Sequence, residues 1–309
     1  IVPLVDENRV IVKLGLKLVE QTRNLGLKSI LQASGYNKIN SSTISFGVAP
    51  RINASGRMGH QEDALQLFLS KEKDEVDELT QKLEQYNKLR QETEKNIYAD
   101  AIMQIERDGL TNNSTIVVKG KNWHHGVIGI VSSKITEMYF KPSILLCEED
   151  GYGKGSGRSI PGFDLYEALT ECNDCIDKFG GHSMAVGINV KSDKFEEFKQ
   201  KLEQVAKDKH IEEIVPILKI DAQISLDEIN KEMVDSLNEL EPYGEENKTP
   251  LFAFKNLRID SIRALSEGKH LKLTLKDSKN IVNAIGFNLG ELSNEYRIGD
   301  KVDVVGNLE

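Results

Sequence analysis

The chain of 309 residues is long enough for two or three domains, and its 39% hydrophobic and 29% charged residues are typical of soluble globular proteins. Its formal net charge of −9 argues against a protein that coats nucleic acid through overall positive charge, although a basic groove on an acidic body stays compatible with it. No apolar run reaches the length of a membrane span, and three cysteines favour a reducing, cytoplasmic environment.

Helical patterns and one strand pattern fill residues 1–108. Residues 10–19 have helical apolar spacing, and Ile44, Phe46 and Val48 alternate as in a strand that leads into a loop over 49–57. Residues 1–61 therefore predict the tail of an α/β domain. Residues 62–108 predict a long connecting helix, ~48 Å long over 76–107. A coiled-coil dimer is the alternative, although the apolar steps do not follow a strict heptad.

Residues 109–208 alternate strands and helices, which predicts a compact α/β domain with its loops at one sheet edge. The predicted strands are 116–118, 143–147, 155–158 and a Gly-Gly-His strand after residue 178. The predicted helices are 127–139, 164–176 and 194–206, the last with a capping box of Asp193 and Glu196.

Residues 209–309 change to short strand-like runs separated by turn signals, around one small helix at 226–240. The predicted strands are 218–220, 251–254, 258–263, 271–275, 281–285 and 302–305. The pattern predicts an OB-type barrel, a common fold for binding single strands. A β-sandwich without a ligand is the alternative.

The segment Gly180-Gly181-His182 precedes an apolar run and is chemically suited to holding a phosphate. Two adjacent glycines let backbone amides converge on an anion, and His182 can donate a hydrogen bond to the same anion. Ala185 and Gly187 leave space for a ligand or a neighbouring element. The alternative is a tight turn with a surface histidine.

A second candidate anion site lies at the predicted start of the helix 127–139, where free amides and the helix dipole favour negative charge. Its residues are Trp123, His124, His125 and Gly126. Either histidine can contact a phosphate, and the tryptophan can stack on a base or pack. A structural tryptophan with two capping histidines is the alternative.

Ser156 and Arg158 alternate on a predicted strand, so their side chains project from the same face. A hydroxyl with a guanidinium suits a terminal phosphate, because arginine can bind two of its oxygens at once.

Cys172 and Cys175 form a Cys-x-x-Cys pair without a second pair elsewhere in the sequence. Since a structural zinc site normally has four ligands, we predict two buried thiols instead of a metal site.

Several motifs together identify a family. Residues 178–187 resemble the Gly-Gly-His-x-x-Ala-Ala-Gly signature of the DHH-associated domain, with Val186 in place of the second alanine. Five further segments, 49–59, 87–91, 123–129, 155–160 and 242–247, occur in the order found in RecJ-type exonucleases of the DHH phosphoesterase family. The chain resembles that family over nearly its whole length. It contains no Asp-His-His triplet, so we expect the metal-binding motifs to lie before Ile1.

The resemblance implies an α/β plus β-barrel architecture: the tail of a DHH domain (1–61), a connecting helix (62–108), the DHH-associated domain (109–208) and a truncated OB-fold (209–309). It implies the core of a single-stranded-DNA-specific 5′-to-3′ exonuclease acting in DNA repair and recombination, inactive as this fragment alone. The implied cofactor is Mn²⁺ or Mg²⁺, held in the full-length protein and not by this fragment. The implied partners are single-stranded DNA with a 5′ phosphate, single-strand-binding protein and a helicase.

The resemblance also implies residue roles. Arg57, Ser156 and Arg158 would grip the 5′ phosphate, and His182 with its glycines would hold the phosphate near the scissile one. Asn53 and Arg51 share the loop of Arg57, and Arg51 can instead brace that loop by pairing with a carboxylate. In the barrel, the candidate DNA contacts are Lys255, Arg258, Arg263, Lys269 and Lys272, with Phe254, Phe287 and Tyr243 as candidate stacking platforms.

Two other functions stay open from the residues. One is a smaller DHH phosphodiesterase that acts on oligonucleotides or cyclic dinucleotides, against which the long helix and the barrel speak. The other is a non-catalytic nucleic-acid-binding module, which the segment 53–57 disfavours.

Overall fold

The computed structural model describes residues 2–309, which group into two compact units. The larger unit is Thr22–Pro216, and the smaller unit combines the described residues up to Gln21 with Ile217–Glu309. Within this described part, every helix is too short or too polar to cross a lipid bilayer.

Both units contain α-helices and β-strands. The helices are α1 (Asp6–Val19), α2 (Leu25–Ala33), α3 (Ala49–Arg57), α4 (Gln61–Leu69), α5 (Lys73–Arg107), α6 (His125–Tyr139), α7 (Leu165–Glu171), α8 (Phe195–Asp208) and α9 (Lys231–Asn238). The strands are β1 (Ile116–Lys121), β2 (Ser143–Glu149), β3 (Tyr152–Arg158), β4 (Lys178–His182), β5 (Ala185–Lys191), β6 (Ala222–Gln223), β7 (Phe252–Leu265), β8 (His270–Lys276), β9 (Ile281–Gly286) and β10 (Lys301–Gly306).

The long helix predicted over 76–107 is confirmed as α5, a helix of 35 residues that ends at Arg107. It stops there because Gly109 follows in a left-handed conformation with φ 63°. The first part of α5 packs against α2, α3 and α4, and its last part packs against α6 and β1. Most of its apolar face is therefore covered by residues of the same chain, and Leu89 is the exception at 49% exposed.

The strand predicted through Phe46 and the loop predicted over 49–57 are wrong. Thr43–Val48 forms a π-helical turn that continues into α3. Pro50 lies in the first turn of α3, a position that its fixed φ suits. Ala54 and Ser55 are fully buried, so small side chains let α3 pack closely. The alternation at 44–48 is misleading, since Phe46 is 72% exposed.

The larger unit contains a five-stranded sheet in the order β1-β2-β3-β5-β4. Only β1 and β2 are parallel, and α6 connects them; the other neighbours are antiparallel. The helices α5 and α6 pack on one face, and α7 and α8 pack on the other. On its own face of the sheet, α6 contacts β2 and β3, whereas the helices that contact β4 and β5 are α7 and α8 on the other face. The residues of β4 and β5 that point to the α6 side are therefore not covered by a helix.

Two helix boundaries differ from the prediction. The helix predicted over 164–176 ends at Glu171, because a 3-10 turn, Asn173–Cys175, follows it. The predicted capping box is also wrong: a 3-10 turn precedes α8, which makes Lys194 the N-cap, without a side-chain cap.

The smaller unit contains an OB-type sheet in the order β10-β7-β8-β9, with β6 parallel to one end of β7. The two strands predicted over 251–254 and 258–263 merge into β7, whose pairing shifts at a bulge between Ile259 and Ser261. Among the described residues, 218–220 form no strand. The helix predicted over 226–240 is a 3-10 turn, Leu226–Glu228, followed by α9.

Candidate nucleic-acid interface

Residues 123–126 form the start of α6, and their side chains fix it through packing and hydrogen bonds. Trp123 is 6% exposed, and its Nε1 donates a hydrogen bond of 2.8 Å to Oδ2 of Asp100. His124 is the N-cap, and its Nδ1 accepts a hydrogen bond of 3.1 Å from the backbone N–H of Gly126. Because Nδ1 accepts, the proton of neutral His124 is on Nε2, which is left as a donor. His125 begins the helix and is exposed.

Arg57 reaches the same helix start from α3. Its Nη1 donates a hydrogen bond of 2.9 Å to the carbonyl oxygen of Gly126. A Cβ at Gly126 would lie 2.3 Å from the carbonyl oxygen of Arg57, so only glycine lets α3 come this close to α6. The guanidinium is thereby held beside the end of a helix where amide groups favour an anion.

Ser156 and Arg158 project from β3 toward α6. Nη1 of Arg158 donates to Oγ of Ser156 at 3.0 Å and to the carbonyl oxygen of Gly157 at 2.8 Å. A Cβ at Gly129 of α6 would lie 3.0 Å from the Ser156 oxygen and 3.2 Å from Nη2 of Arg158. Both side chains therefore lie against bare helix surface. Sequence reasoning missed Gly129, for which a glycine inside a helical apolar pattern was the available signal.

Arg57 and Arg158 place two positive charges near each other. Burial lowers the pKa of the Arg158 guanidinium, and the charge of Arg57 lowers it further. Neither arginine forms an ion pair with any carboxylate in residues 2–309. Two guanidiniums without a counter-ion, beside a hydroxyl and a helix N-terminus, suit an anion with several oxygens, such as a phosphate.

The Gly-Gly-His segment forms β4, the outer strand of the sheet. Nδ1 of His182 accepts a hydrogen bond of 3.3 Å from the backbone N–H of Met184. Neutral His182 therefore carries its proton on Nε2, and the side chain is exposed. This histidine can donate a hydrogen bond or, when protonated, a positive charge to a ligand on the sheet.

The strand register brings β4 and β3 together on one face through β5. One row contains His182, Ala185 and Arg158, and the next row contains Gly180, Gly187 and Ser156. Residues paired across strands share a face, so both predicted segments lie on the face that α6 partly covers. The outer members of each row are two strand spacings apart, ~10 Å between Cα atoms.

A third row on this face contains Lys178, Asn189 and Lys154. Sequence reasoning missed these residues, although alternation with Ser156 and Arg158 on one strand was sufficient to find Lys154. The two lysines are exposed, and they add positive charge to the same sheet face. The face therefore combines basic side chains at its borders with small residues at its centre.

Two other predicted site residues lie outside this grouping. Nε of Arg51 donates to Oε2 of Glu84 at 2.5 Å, and its Nη1 donates to the carbonyl oxygen of Gly47 at 2.6 Å. Arg51 therefore braces α3, the second of the two roles considered for it. Asn53 is exposed on α3, and its side chain forms no hydrogen bond with the described residues.

The thiols of Cys172 and Cys175 are free and buried, as predicted. Burial raises the pKa of Cys172 to about 12 and that of Cys175 to about 11. Within residues 2–309, one group of three candidate metal ligands lies close together, and it consists of Cys175, Asp174 and Glu197. Lys201 and Lys194 already pair with the two carboxylates, and a protonated thiol is a poor ligand for Mn²⁺ or Mg²⁺. This group therefore does not fit a catalytic divalent metal.

The OB-type sheet has one basic outward face. In the strand register, Arg263 of β7 lies opposite Lys272 of β8, and Lys272 lies opposite Ile285 of β9. Arg258 of β7 lies between Lys276 of β8 and Lys301 of β10. Lys276 is already paired with Asp260, so the repulsion between neighbouring like charges is left at Arg263 and Lys272, where an anion laid across the strands would relieve it. Lys269 is exposed in the turn before β8, whereas Lys255 is paired with Asp303 at 2.7 Å.

The aromatic candidates of this sheet differ in accessibility. Phe254 is 7% exposed and lies in the core. Tyr243 donates its phenolic hydrogen to the carbonyl oxygen of Leu237 at 2.5 Å, and burial raises its pKa. Phe287 is 70% exposed and touches the edge of the His270 ring, with centroids 5.4 Å apart. Of the three, Phe287 alone presents a ring that a base can reach.

Comparison with known proteins identifies domains and relatives. Residues 112–208 match the family model of the DHHA1 domain, and residues 220–309 match that of the RecJ OB domain. The single-stranded-DNA-specific exonuclease RecJ of Bacillus subtilis is 35% identical over 314 residues, covering 100% of this chain and 40% of the relative. The Thermus thermophilus protein of the same name is 31% identical, covering 100% of this chain and 43% of the relative.

Solved structures agree in fold. The crystal structure of RecJ in complex with Mg²⁺ from Thermus thermophilus matches with a TM-score of 0.83 and 29% identity, covering 100% of this chain and 47% of that chain. The complex with Mn²⁺ gives a TM-score of 0.83 and 30% identity, covering 99% and 44%. This chain thus spans less than half the length of these relatives.

Proposed function

This chain belongs to the RecJ family, and from that premise we propose that it is the part of a single-stranded-DNA-specific 5′-to-3′ exonuclease that holds the phosphorylated 5′ end of the strand. The observation that carries the proposal is the pair Arg57 and Arg158, held without a counter-ion beside the N-terminus of α6. We call Arg57, Ser156 and Arg158 the phosphate clamp.

The phosphate clamp distinguishes a chain end from the chain interior by charge. A terminal phosphate monoester carries about −1.5 to −2 charges at neutral pH, whereas an internal diester carries one. Two guanidiniums bind the more highly charged group better, through charge-assisted hydrogen bonds to separate oxygens. Since Oγ of Ser156 already accepts a hydrogen bond from Arg158, its own hydrogen is available for the phosphate.

His182 acts on the next part of the strand. It shares a cross-strand row with Arg158, ~10 Å away, and presents a proton on Nε2. We propose that it donates to a phosphate downstream of the terminal one, near the bond to be cleaved. A hydrogen-bond donor in a preorganised site stabilises the negative charge that develops in the transition state. Removing such a donor lowers the rate by about 10²–10³.

The divalent metal of the whole enzyme is proposed to be Mn²⁺ or Mg²⁺, which accompany the solved RecJ structures. The residues described here do not provide a fitting site, because the cluster around Cys175 holds a protonated thiol and paired carboxylates. The described part of the chain therefore contributes the binding and orientation of the strand.

The OB-type sheet is proposed to hold the strand away from its 5′ end. Support comes from the outward row of Arg263 and Lys272 and from exposed Phe287 at its margin. Phosphates would lie along the charges and a base on the ring, an arrangement common to proteins that bind single strands without sequence preference.

The wider assignment follows the family. We propose that residues 1–61 close the DHH domain, that 62–108 connect the domains, and that 109–208 and 209–309 are the DHH-associated and OB domains. The family-model matches over 112–208 and 220–309 support the last two. Roles in DNA repair and recombination, a cytoplasmic location, and single-strand-binding protein and a helicase as partners are proposed on the resemblance alone.

Fluorescence anisotropy tests the proposal with three labelled probes: a 5′-phosphorylated single strand, its 5′-hydroxyl twin and a blunt duplex. We expect the phosphorylated strand to bind about tenfold or more tightly than its twin, and Arg158→Ala to remove that preference. Arg107→Ala is the matched control, because its side chain is 71% exposed and pairs only with Asp108. Equal binding to all three probes by the wild-type protein would contradict the proposal.

A further inference from the structure

The residues of the phosphate clamp all lie against glycines of α6. A Cβ at Gly126 would lie 2.3 Å from the carbonyl oxygen of Arg57. A Cβ at Gly129 would lie 3.2 Å from Nη2 of Arg158 and 3.0 Å from Oγ of Ser156. The two glycines are three residues apart, so they share one side of the helix. A single side of α6 thus contacts every member of the phosphate clamp.

The nitrogen of Arg158 that lies nearest to Gly129 is one that is free for a ligand. Nη1 of Arg158 donates to Oγ of Ser156 and to the carbonyl oxygen of Gly157. Nη2 and Nε donate to no acceptor within residues 2–309. Because a guanidinium has five N–H donors in a rigid fork, the N–H groups of Nη2 are available to a phosphate oxygen. A side chain at Gly129 would therefore press on the nitrogen that is to meet the phosphate.

Buried hydroxyl groups hold α6 in place against the sheet. Oγ of Ser132 donates to the carbonyl oxygen of Ser143 at 3.0 Å, and Oγ of Ser143 donates to the carbonyl oxygen of Ser132 at 2.8 Å. Oγ1 of Thr136 lies 2.7 Å from Oγ of Ser143. All three residues are buried, so moving α6 outward would leave polar groups in the interior without partners. A methyl group at Gly129 would therefore displace the guanidinium of Arg158, the end of a flexible side chain, and leave the helix where it is.

The backbone of α6 does not itself require glycine at position 129. Gly129 lies inside the helix without a positive φ, where glycine is less favourable than alanine. The space that a Cβ would fill is bordered by Ser156 and Arg158, so the missing side chain serves the phosphate clamp.

We infer that Gly129 is a positioning residue for recognition of the 5′ end, because the space it leaves free lets Arg158 and Ser156 lie where they bind the terminal phosphate. The inference rests on the proposed function, since it concerns how the phosphate clamp is held. It assigns part of the preference for a 5′-phosphorylated strand to a residue that has no functional group of its own.

The test compares Gly129→Ala with the wild-type protein. The probes are a 5′-phosphorylated single strand and its 5′-hydroxyl twin, and fluorescence anisotropy measures the binding of each. The melting temperature is measured for every variant. Gly15→Ala is the matched control, because Gly15 also lies inside a helix, α1, and a Cβ there would meet nothing within 4 Å.

We expect Gly129→Ala to lower the ratio of affinities for the 5′-phosphorylated and 5′-hydroxyl strands by about threefold or more, with little change in the affinity for the 5′-hydroxyl strand. The melting temperature should stay the same or rise by about 2 °C, because alanine suits a helix better than glycine. Gly15→Ala should leave the ratio unchanged. A residue with a merely structural role would instead lower both affinities together with the melting temperature.

Three results would overturn the inference. The first is a ratio in Gly129→Ala that stays within about threefold of the wild-type ratio. The second is a melting temperature lowered by more than about 2 °C, which would show that the fold itself needs glycine there. The third is an equal fall of the ratio in Gly15→Ala.

Arg158→Ala separates these failures from that of the proposed function. If Arg158→Ala removes the 5′-phosphate preference while Gly129→Ala keeps it, the phosphate clamp stands and the role of Gly129 is wrong. If the wild-type protein shows no preference, the phosphate clamp and the inference are both wrong.

Discussion

The indole Nε1 of Trp123 donates a hydrogen bond of 2.8 Å to Oδ2 of Asp100, which joins the loop before α6 to the long helix α5. A Cβ at Gly120 would lie 2.1 Å from the indole, so the ring also packs directly on β1. These contacts fix the start of α6, where His124 caps the helix and Gly126 meets Arg57. Trp123 thus packs against β1 and α5 and supports the start of α6, and its buried ring is not available to stack on a base.

We expect Trp123→Phe to lower the free energy of unfolding by about 1–2 kcal/mol, because it leaves the partly buried carboxylate of Asp100 without its donor. Urea unfolding measures this loss. The affinity for a 5′-hydroxyl single strand should change little, since the ring does not stack on a base. A large loss of that affinity with unchanged stability would show that Trp123 is a stacking platform.

Arg51→Ala should reduce stability and spare substrate recognition. Its guanidinium donates hydrogen bonds to Glu84 and to the carbonyl oxygen of Gly47, and its side chain is 13% exposed. We expect a loss of about 2 kcal/mol in the free energy of unfolding, measured in urea. The ratio of affinities for 5′-phosphorylated and 5′-hydroxyl strands should equal that of the wild-type protein. A reduced ratio would place Arg51 in the anion site.

Glu94 gives a pH dependence of stability. Burial acts to raise its pKa, but hydrogen bonds from Lys134 and Arg90 outweigh burial, so the pKa of Glu94 is lowered. A carboxyl with a lowered folded-state pKa contributes stability above its unfolded-state pKa of about 4.3 and loses it as the pH falls through the folded value. Stability should therefore drop below about pH 4.

Glu94→Gln tests this account through the melting temperature between neutral and acid pH. At pH 7 it should lower the free energy of unfolding by about 2 kcal/mol, because Arg90 and Lys134 lose their shared counter-ion. The difference from the wild-type protein should shrink as the pH falls below 4. Glu78→Gln serves as the control, since its exposed pair with Lys82 should matter little. A difference that is constant with pH would contradict the assignment.

Phe287 and Phe254 should behave oppositely. Phe287→Ala removes an exposed ring and should weaken binding of a single strand by about 1–3 kcal/mol, with little change in stability. Phe254→Ala removes a core ring and should lower the free energy of unfolding by about 3–5 kcal/mol. Anisotropy and urea unfolding measure the two effects. Unaltered strand binding by Phe287→Ala would rule out its role as a platform.

Features that depend on short segments of the chain could be predicted from the sequence. The alternation of Ser156 and Arg158 predicts their shared face, and the register confirms it. The periodicity of α5 predicts the long helix and its end at Arg107. The family resemblance, carried by short motifs, is confirmed by the matches to the DHHA1 and RecJ OB domains. The first two predictions depend on neighbouring residues alone, whereas the family resemblance depends on several short motifs and their order along the chain.

Long-range pairing could not be read from the sequence. The partners of Trp123 and Arg51 lie 23 and 33 residues away, on the same long helix, and no local pattern marks them. The apolar residues Ile44, Phe46 and Val48 alternate in the sequence and so suggested a strand, whereas in the turn Phe46 is exposed and the consecutive residues Gly47 and Val48 are both buried. The merging of two predicted strands into β7 depends on a bulge between Ile259 and Ser261, and that bulge depends on pairing with β8.

The central claim is that Arg57 and Arg158 bind one and the same 5′ phosphate. A double-mutant cycle with Arg57→Ala, Arg158→Ala and the double variant tests it most directly, with the ratio of affinities for 5′-phosphorylated and 5′-hydroxyl strands as the readout. We predict that each single variant loses most of the preference and that the double variant loses little more, a coupling of about 1 kcal/mol or greater. Losses that add to within about 0.5 kcal/mol would show that the two arginines act at separate places, and would contradict the claim.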